Sequence, residues 1–458
     1  MNSRFIVTTM AAVLIAVSCS ASRAAELKDS PAGQLLQDYL TALNSSQESQ
    51  MRAFLETNVS PEALATRPLE KRLQVMLDLS RRWGSARLNE VRGVSDSTLV
   101  VTLITKNGEQ FKFTLFHDRS QPPKMLGLGI QDFAPSSPSN SPALTTAQFF
   151  DQVAKRVEAR SRSGEFSGVV LIACDGKPIY QQAVGRADAE SGKPNKLDTK
   201  FNLGSINKKF TQLAIDLLAE RGKLSYSDTL GKFLPDYPNA EARAKVTVGH
   251  LVAMESGIGD FFGEEFDNTP KTKFRHNRDF IPMFASEQLH FEPGTQNEYS
   301  NGGYVLLGAI VEKASGQDYY DFVRENIFKP AGMLNTAWYE ADAATPNLAQ
   351  GYTTEGFDDG KRHSNVNTRP ARGSAAGGGY STAQDLLKFA NAAKSGAFGN
   401  PGAGYQGIGI AGGAPGINAA LETDLKGRYT IVILANFDPP SAESLARELS
   451  GLVESLSD

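Results

Sequence analysis

The sequence predicts two folded units: a small α+β unit, then a larger α/β unit whose antiparallel sheet is assembled from both of its ends. Three observations carry this reading. The stretch APSSPSNSPALTT, residues 134–146, is dominated by Ser and Pro and reads as a linker. Before it, helical spacing of apolar residues gives way to alternating strands. After it, strands stand at both ends and helices fill the middle. With 458 residues, 40% of them hydrophobic, the chain is long enough for two or three domains with substantial cores.

The chain opens MNSRFIVTTMAAVLIAVSCSASRAAEL. Arg4 supplies positive charge, residues 5–17 form a short apolar run, and Ser22-Arg23-Ala24 supplies small residues before a cleavage point. The run is too short to span a membrane comfortably. The expectation is a secretory signal over residues 1–24 and a periplasmic or secreted protein without a transmembrane anchor in its mature chain. A lipoprotein reading through Cys19 meets a poor match at Ala16, three residues earlier.

The first unit spans residues 26–133. AGQLLQDYLTALN and LEKRLQVMLDLSRRW carry helical spacing, and STLVVTLITK and EQFKFTLFHD alternate on either side of Asn107-Gly108, a hairpin signal. KMLGLGIQ offers a third strand. The unit's charges form no catalytic pattern, which leaves it a packing or binding module.

The second unit spans residues 147–458. SGVVLIACDGKPIYQQAVG reads as a hairpin turning at Asp175-Gly176. KKFTQLAIDLLAERGKL is an amphipathic helix ending near Gly222, and GGYVLLGAIVEKASG is another, closed by Gly316. GINAALETDLKGRYTIVILANFD is a late hairpin and ESLARELSGLVESL a final helix. A sheet joining the two hairpins would let that helix cover one face.

A formal charge of −4, with no basic patch joined to aromatics, excludes a nucleic-acid footprint and favours small-molecule or peptide-like partners. The two cysteines, Cys19 and Cys174, give no disulfide framework. Cys174 ends the apolar run VVLIAC and is expected as a buried core thiol. His117, His250, His276, His290 and His363 show no metal-ligand spacing, so neither metal nor cofactor is expected.

The chemistry lies in the middle of the second unit. FNLGSINKKFTQLAIDLL places Ser205 and Lys208 three apart at a helix start, on one face. A lysine amine there can accept the serine proton, and the helix N-terminus favours both the neutral amine and the developing alkoxide. Gly204 is read as clearing space on the substrate side, and Lys209 as pointing to solvent. In FEPGTQNEYSNGGYVLLGAI, Tyr299 and Asn301 flank Ser300 and share one side of an extended segment. The phenol can relay a proton, and the amide can bridge the lysine and a substrate amide. The expected geometry puts the Lys208 amine within reach of both the Ser205 and Tyr299 hydroxyls.

These residues resemble the serine β-lactamase-related family, which includes class C enzymes, D,D-carboxypeptidases, D-aminopeptidases and esterases. The resemblance runs from about Ser163 to Leu456 and rests on GSINKKFTQLAIDLLAERGKLSYSDTLGKFLPDYP, on NEYSNGGYVLLGAIVEKASGQDYYDFVRENIFKPAGM and on RGSAAGGGYSTAQDLLKFA. It implies a β-lactamase/transpeptidase-like fold, with Ser205 acylated, Lys208 its base partner and Tyr299 the proton shuttle. The family's third motif reads Lys or His, any residue, then Gly, on a strand lining the site. GIAGGAPGINAAL fits it with Ile410 in the Lys/His place and Gly412 as the fixed glycine, its missing side chain leaving the substrate unblocked. The backbone N–H of Gly413 would then join that of Ser205 as an oxyanion hole. The first unit resembles NTF2-like or cystatin-like accessory modules of secreted hydrolases.

Three departures qualify the resemblance. Isoleucine at 410 cannot donate a hydrogen bond or supply charge, which disfavours recognition of a free carboxylate and turnover of β-lactams. VGHLVAMESGIGDFFG carries Ala253, Met254 and Glu255 where relatives often read Thr-His-Thr; that loop is expected near the site without a chemical role. The segment 394–407 is short, implying a more open site. The leading reading is a secreted serine hydrolase that forms an acyl-enzyme on Ser205 and acts on an ester, amide or peptide-like substrate. The alternative is a catalytically weakened, hydrolase-derived binding or regulatory protein of the cell envelope, with the first domain docking another protein.

Overall fold

In the first unit, apolar residues at helical spacing fold onto one face of a sheet. A computed structural model describes residues 30–66, 68–94, 98–118, 120–132, 144–399, 409–423 and 427–456. The expected signal and Cys19 lie outside the described residues, as do residues 134–143 of the linker and 400–407 of the short segment. The chain divides into two compact units, Met1–Pro138 and Ser139–Asp458.

The first unit carries helices α1 (Pro31–Asn44), α2 (Glu48–Asn58) and α3 (Leu69–Trp83), with a short helix Pro61–Thr66 between the last two. Strands β1 (Ala86–Val94), β2 (Thr98–Thr105), β3 (Gln110–His117) and β4 (Met125–Asp132) follow as an antiparallel meander. Gly108 takes φ +85° in the β2–β3 turn, as the Asn-Gly signal requires. The helices bury Tyr39, Phe54, Met76 and Trp83 against Leu99, Leu103 and Phe113 of the sheet.

Besides the short helix Pro61–Thr66, two elements here are not legible in the sequence. Strand β1 is broken by register shifts between Leu88 and Glu90 and between Val91 and Gly93, which erase the period of two. Helix α2 buries only Met51, Phe54 and Leu55, too thin a stripe to announce itself.

The second unit begins with α4 (Thr146–Arg162), β5 (Gly168–Cys174) and β6 (Lys177–Val184). Helices α5 (Asn207–Glu220), α6 (Asn301–Ser315) and α7 (Ala383–Lys394) form its middle. Strands β7 (Gly409–Ala414), β8 (Ile417–Thr423) and β9 (Tyr429–Ala435) and helix α8 (Ser441–Glu454) close it. The two ends join in one five-stranded antiparallel sheet of order β7-β8-β9-β5-β6, with Val170 opposite Ile433 at the seam. Alternation along the central strands sorts the two faces. Val170, Ile172, Ile431 and Ile433 pack under α4 and α8. Val169, Leu171, Val432 and Leu434 pack against the helical middle, where α5 contributes Phe210, Leu213 and Ala214.

One core expectation is corrected. Cys174 is half-buried, with its thiol 3.7 Å from Asp175 Oδ2. It is the last residue of β5, where the strand runs out into the Asp175-Gly176 turn. Among the described residues no helix is long and apolar enough to cross a membrane.

Candidate active site

The expected nucleophile sits on a turn clamped from both sides. Ser205 lies in a 3₁₀ turn, Gly204–Ile206, that leads into α5. Before it, Phe201–Asn202 pairs with Tyr380–Ser381, and Leu203 N donates to Gly379 O at 2.8 Å. Asn202 Oδ1 accepts from Gly204 N at 2.9 Å. Gly204 needs its lack of a side chain twice over. Its φ is +50°, and a Cβ there would stand 2.9 Å from Gly413 N. A Cβ at Gly412 would stand 2.1 Å from Leu203 O and 2.8 Å from Ser205 N. The space read from the sequence as clearance for substrate is therefore occupied by backbone: the two glycines let edge strand β7 press against the nucleophile turn.

Lys208 stands in the first turn of α5, three residues after Ser205, so both side chains lie on one face of the helix start. Lys208 Nζ lies 3.1 Å from Ser205 Oγ. It also donates to Asn301 Oδ1 at 2.7 Å and to Ala376 O at 2.6 Å. The two acceptors Asn301 Oδ1 and Ala376 O commit two lysine N–H groups, and the third position on nitrogen faces the serine. Ala376 belongs to the RGSAAGGGYS segment, and its carbonyl is a functional group that the sequence did not single out.

Tyr299 and Asn301 reach the site because Ser300 is extended, with φ −135° and ψ 113°, and caps α6. Ser300 Oγ accepts from Gly303 N at 2.8 Å and donates to Gly259 O at 2.9 Å. Such a cap is worth about 1 kcal/mol, and it fixes the alternation that aims both neighbours to one side. Tyr299 Oη lies 2.5 Å from Ser205 Oγ. Its hydroxyl meets the serine rather than the lysine, whose Nζ instead faces the Tyr299 ring at 4.7 Å from the centroid. The serine thus stands between amine and phenol. Asn301 uses both ends of its amide: Oδ1 takes Lys208, and Nδ2 donates to Asp260 Oδ2 at 2.8 Å. Asp260 also went unread in the sequence, where it appeared only as part of IGDFFG.

The electrostatics follow from burial. Lys208 is 7% exposed, and burial pushes its amine down to about 7, partly opposed by the negative charge of Asp260. Tyr299, though 54% exposed, is raised by the partial burial of its side chain, with its hydrogen bond to Ser205 acting the other way and Asp260 adding to the rise. Lys209, expected in solvent, is half-buried: burial lowers its amine against the pull of Asp216, and Nζ reaches Gln212 Oε1 at 3.4 Å.

Alternation along β7 places Ile410 on the same sheet face as Gly412, packed against the main core. Met254, in the second departure, takes φ +58°, and its sulfur accepts from Ser300 N at 3.4 Å. That loop therefore holds the Tyr299–Asn301 segment in place. Among the described residues no group of three or more His, Cys, Asp or Glu side chains is arranged to hold a metal ion.

Comparison with known proteins shows the family and the fold. The family model described as Beta-lactamase matches residues 153–409, more than half of the chain. The chain is 40% identical over 184 residues to penicillin-binding protein 4* of Bacillus subtilis, covering 40% of each protein. It is 30% identical over 292 residues to the human mitochondrial serine beta-lactamase-like protein LACTB, covering 49% of this chain and 52% of that one. The chain thus spans about half or less of these two relatives. The crystal structure of a penicillin-binding protein from Bacillus halodurans superposes with a TM-score of 0.59 at 26% identity, covering 65% of this chain and 99% of that one. A D-amino acid amidase from Ochrobactrum anthropi shares the fold, with a TM-score of 0.56 at 21% identity over 67% of this chain and 98% of that one. A clamped Ser-x-x-Lys turn facing Tyr-x-Asn, on an α/β fold with an antiparallel sheet, and a family match over most of the second unit lead to one conclusion: the chain belongs to the beta-lactamase-related family of serine hydrolases.

Proposed function

We propose that the protein is a hydrolase that forms an acyl-enzyme on Ser205. The observation that carries this reading is the hydrogen-bond inventory at Lys208. With two N–H groups committed to Asn301 and Ala376, a neutral amine turns its lone pair to Ser205 Oγ. An amine lowered to about 7 is poised to take the serine proton near neutral pH. Ser205 Oγ then adds to the substrate carbonyl, and Tyr299 hands a proton to the leaving group. The N–H groups of Ser205 and Gly413 form the oxyanion hole. Two features support the Gly413 assignment: the close approach of its nitrogen to Gly204, and its place on an edge strand, where alternate N–H groups point away from the sheet. Water attacks the ester carbonyl and releases the acyl group.

The substrate class is an ester, amide or peptide-like carbonyl compound without a free carboxylate beside β7. Ile410 supports this, since it offers neither charge nor donor on that face. The same residue favours a second reading, a hydrolase-derived envelope protein with weak turnover. Residues 26–133 serve as an accessory module of NTF2-like or cystatin-like kind, and the mature protein works in the periplasm or outside the cell. Rapid-mixing kinetics with a neutral p-nitrophenyl ester test the proposal. A burst of one p-nitrophenolate per chain followed by slower turnover is the expected course. A linear course at the rate of the Ser205→Ala protein would refute it.

A further inference from the structure

We propose that Asp260 is a positioning residue of this site: its carboxylate locks the flip of the Asn301 amide and thereby aims the Lys208 amine at Ser205. The proposal rests on the hydrolase reading above and adds to it a residue from the neighbouring loop.

Asparagine can present either end of its amide to a neighbour, and the two ends have opposite hydrogen-bonding character. Facing Lys208, the amide nitrogen would set donor against donor. Asp260 removes that choice. Its ionised carboxylate only accepts, and Oδ2 takes Asn301 Nδ2 at 2.8 Å and Asn301 N at 3.1 Å. Oδ1 of Asn301 is then left for Lys208. The Asn301 N–H is one of the unpaired donors at the start of α6, so the carboxylate also answers the positive end of that helix.

The carboxylate is itself anchored. Asp260 Oδ1 accepts from Phe262 N at 3.1 Å, turning the loop back on itself. Gly259 O takes the Ser300 hydroxyl, and a Cβ at Gly302 would stand 2.4 Å from that same oxygen. The loop is thus fastened to the start of α6 at Gly259 and at Asp260 itself. Around Lys208 stand Ser205 and the rings of Tyr299 and Tyr304, at 4.7 and 5.6 Å from Nζ. They stand with Asn301 and the Ala376 carbonyl, and Asp260 is the charged group whose field reaches the amine. Its sign favours the ammonium form, against burial.

The test is the pH dependence of inactivation by a fluorophosphonate. In that reaction Ser205 Oγ bonds to phosphorus, fluoride leaves, and the serine proton passes to Lys208. Wild type, Asp260→Asn and Asp260→Ala are compared, with melting curves to verify folding. Removing the charge in Asp260→Asn should lower the midpoint of the pH–rate curve by about one unit. Releasing the amide in Asp260→Ala should lower the plateau rate about ten- to a hundredfold while the adduct still forms on Ser205. A merely structural loop residue would shift the melting curve and leave the midpoint alone. A folded Asp260→Ala with the wild-type plateau rate overturns the proposal, and where the alanine variant does not fold, a folded Asp260→Asn with the wild-type midpoint overturns it. Failure of the wild type to react at Ser205 overturns the hydrolase reading, and this one with it.

Discussion

The contact between β7 and the nucleophile turn makes Gly412→Ala the sharpest perturbation of the site. The added methyl would stand 2.1 Å from Leu203 O, 2.8 Å from Ser205 N and 2.9 Å from Ile206 N. All three are backbone atoms, so no side chain can swing away. Reaching ordinary contact near 3.4 Å requires strand and turn to part by about 1.3 Å. Overpacking of this kind costs about 1–3 kcal/mol. A shift of that size at a reacting group costs about a hundredfold in rate. Gly409→Ala is the matched control, because nothing lies within 4 Å of a Cβ there. Urea denaturation reads the stability and fluorophosphonate inactivation reads the site. The expected result is a lower urea midpoint and a hundredfold slower inactivation for Gly412→Ala alone. Equal behaviour of the two alanine variants would refute the close-approach argument and the role given to this strand.

Two further predictions follow from the same geometry. With its amine lowered to about 7, Lys208 in the proposed role of base should make the acylation rate rise about tenfold per pH unit below that value and level off above it. A pH–rate curve that stays flat from pH 5 to 9 would contradict the base role. Ile410→His restores a polar group on the face that carries Gly412. It should raise kcat/KM for substrates bearing a nearby free carboxylate by about one to two decades, the worth of a charge-assisted bond, with little change for neutral esters. Equal gains for both would show that residue 410 acts through packing alone.

Local chemistry and periodicity made much of this molecule legible. Asn107-Gly108 and Asp175-Gly176 announced their hairpins, and the apolar spacing of Phe210, Leu213, Ala214 and Leu217 announced α5. Ser205, Lys208, Tyr299 and Asn301 declared themselves by residue type and order, and the structure brings all four together. What stayed hidden depends on tertiary approach. No spacing rule marks the Ala376 carbonyl as a partner of Lys208, since every residue has one. Asp260 lies 41 positions from Asn301 and gains its place only when the two loops meet. Gly204 and Gly412 stand out in the sequence, but their purpose is legible only once Gly204 is seen against Gly412-Gly413 and Gly412 against the backbone of Leu203 to Ile206. The solvent position that helical spacing gives Lys209 fails because spacing alone does not show Asp216 and Gln212 beside its amine.

Whether Ser205 is an activated nucleophile is read from intact mass after exposure to a fluorophosphonate. One adduct is expected on the wild-type chain, mapped to Ser205 and absent from a folded Ser205→Ala variant. An unmodified wild-type chain, or an adduct that persists in Ser205→Ala, would contradict that role for Ser205.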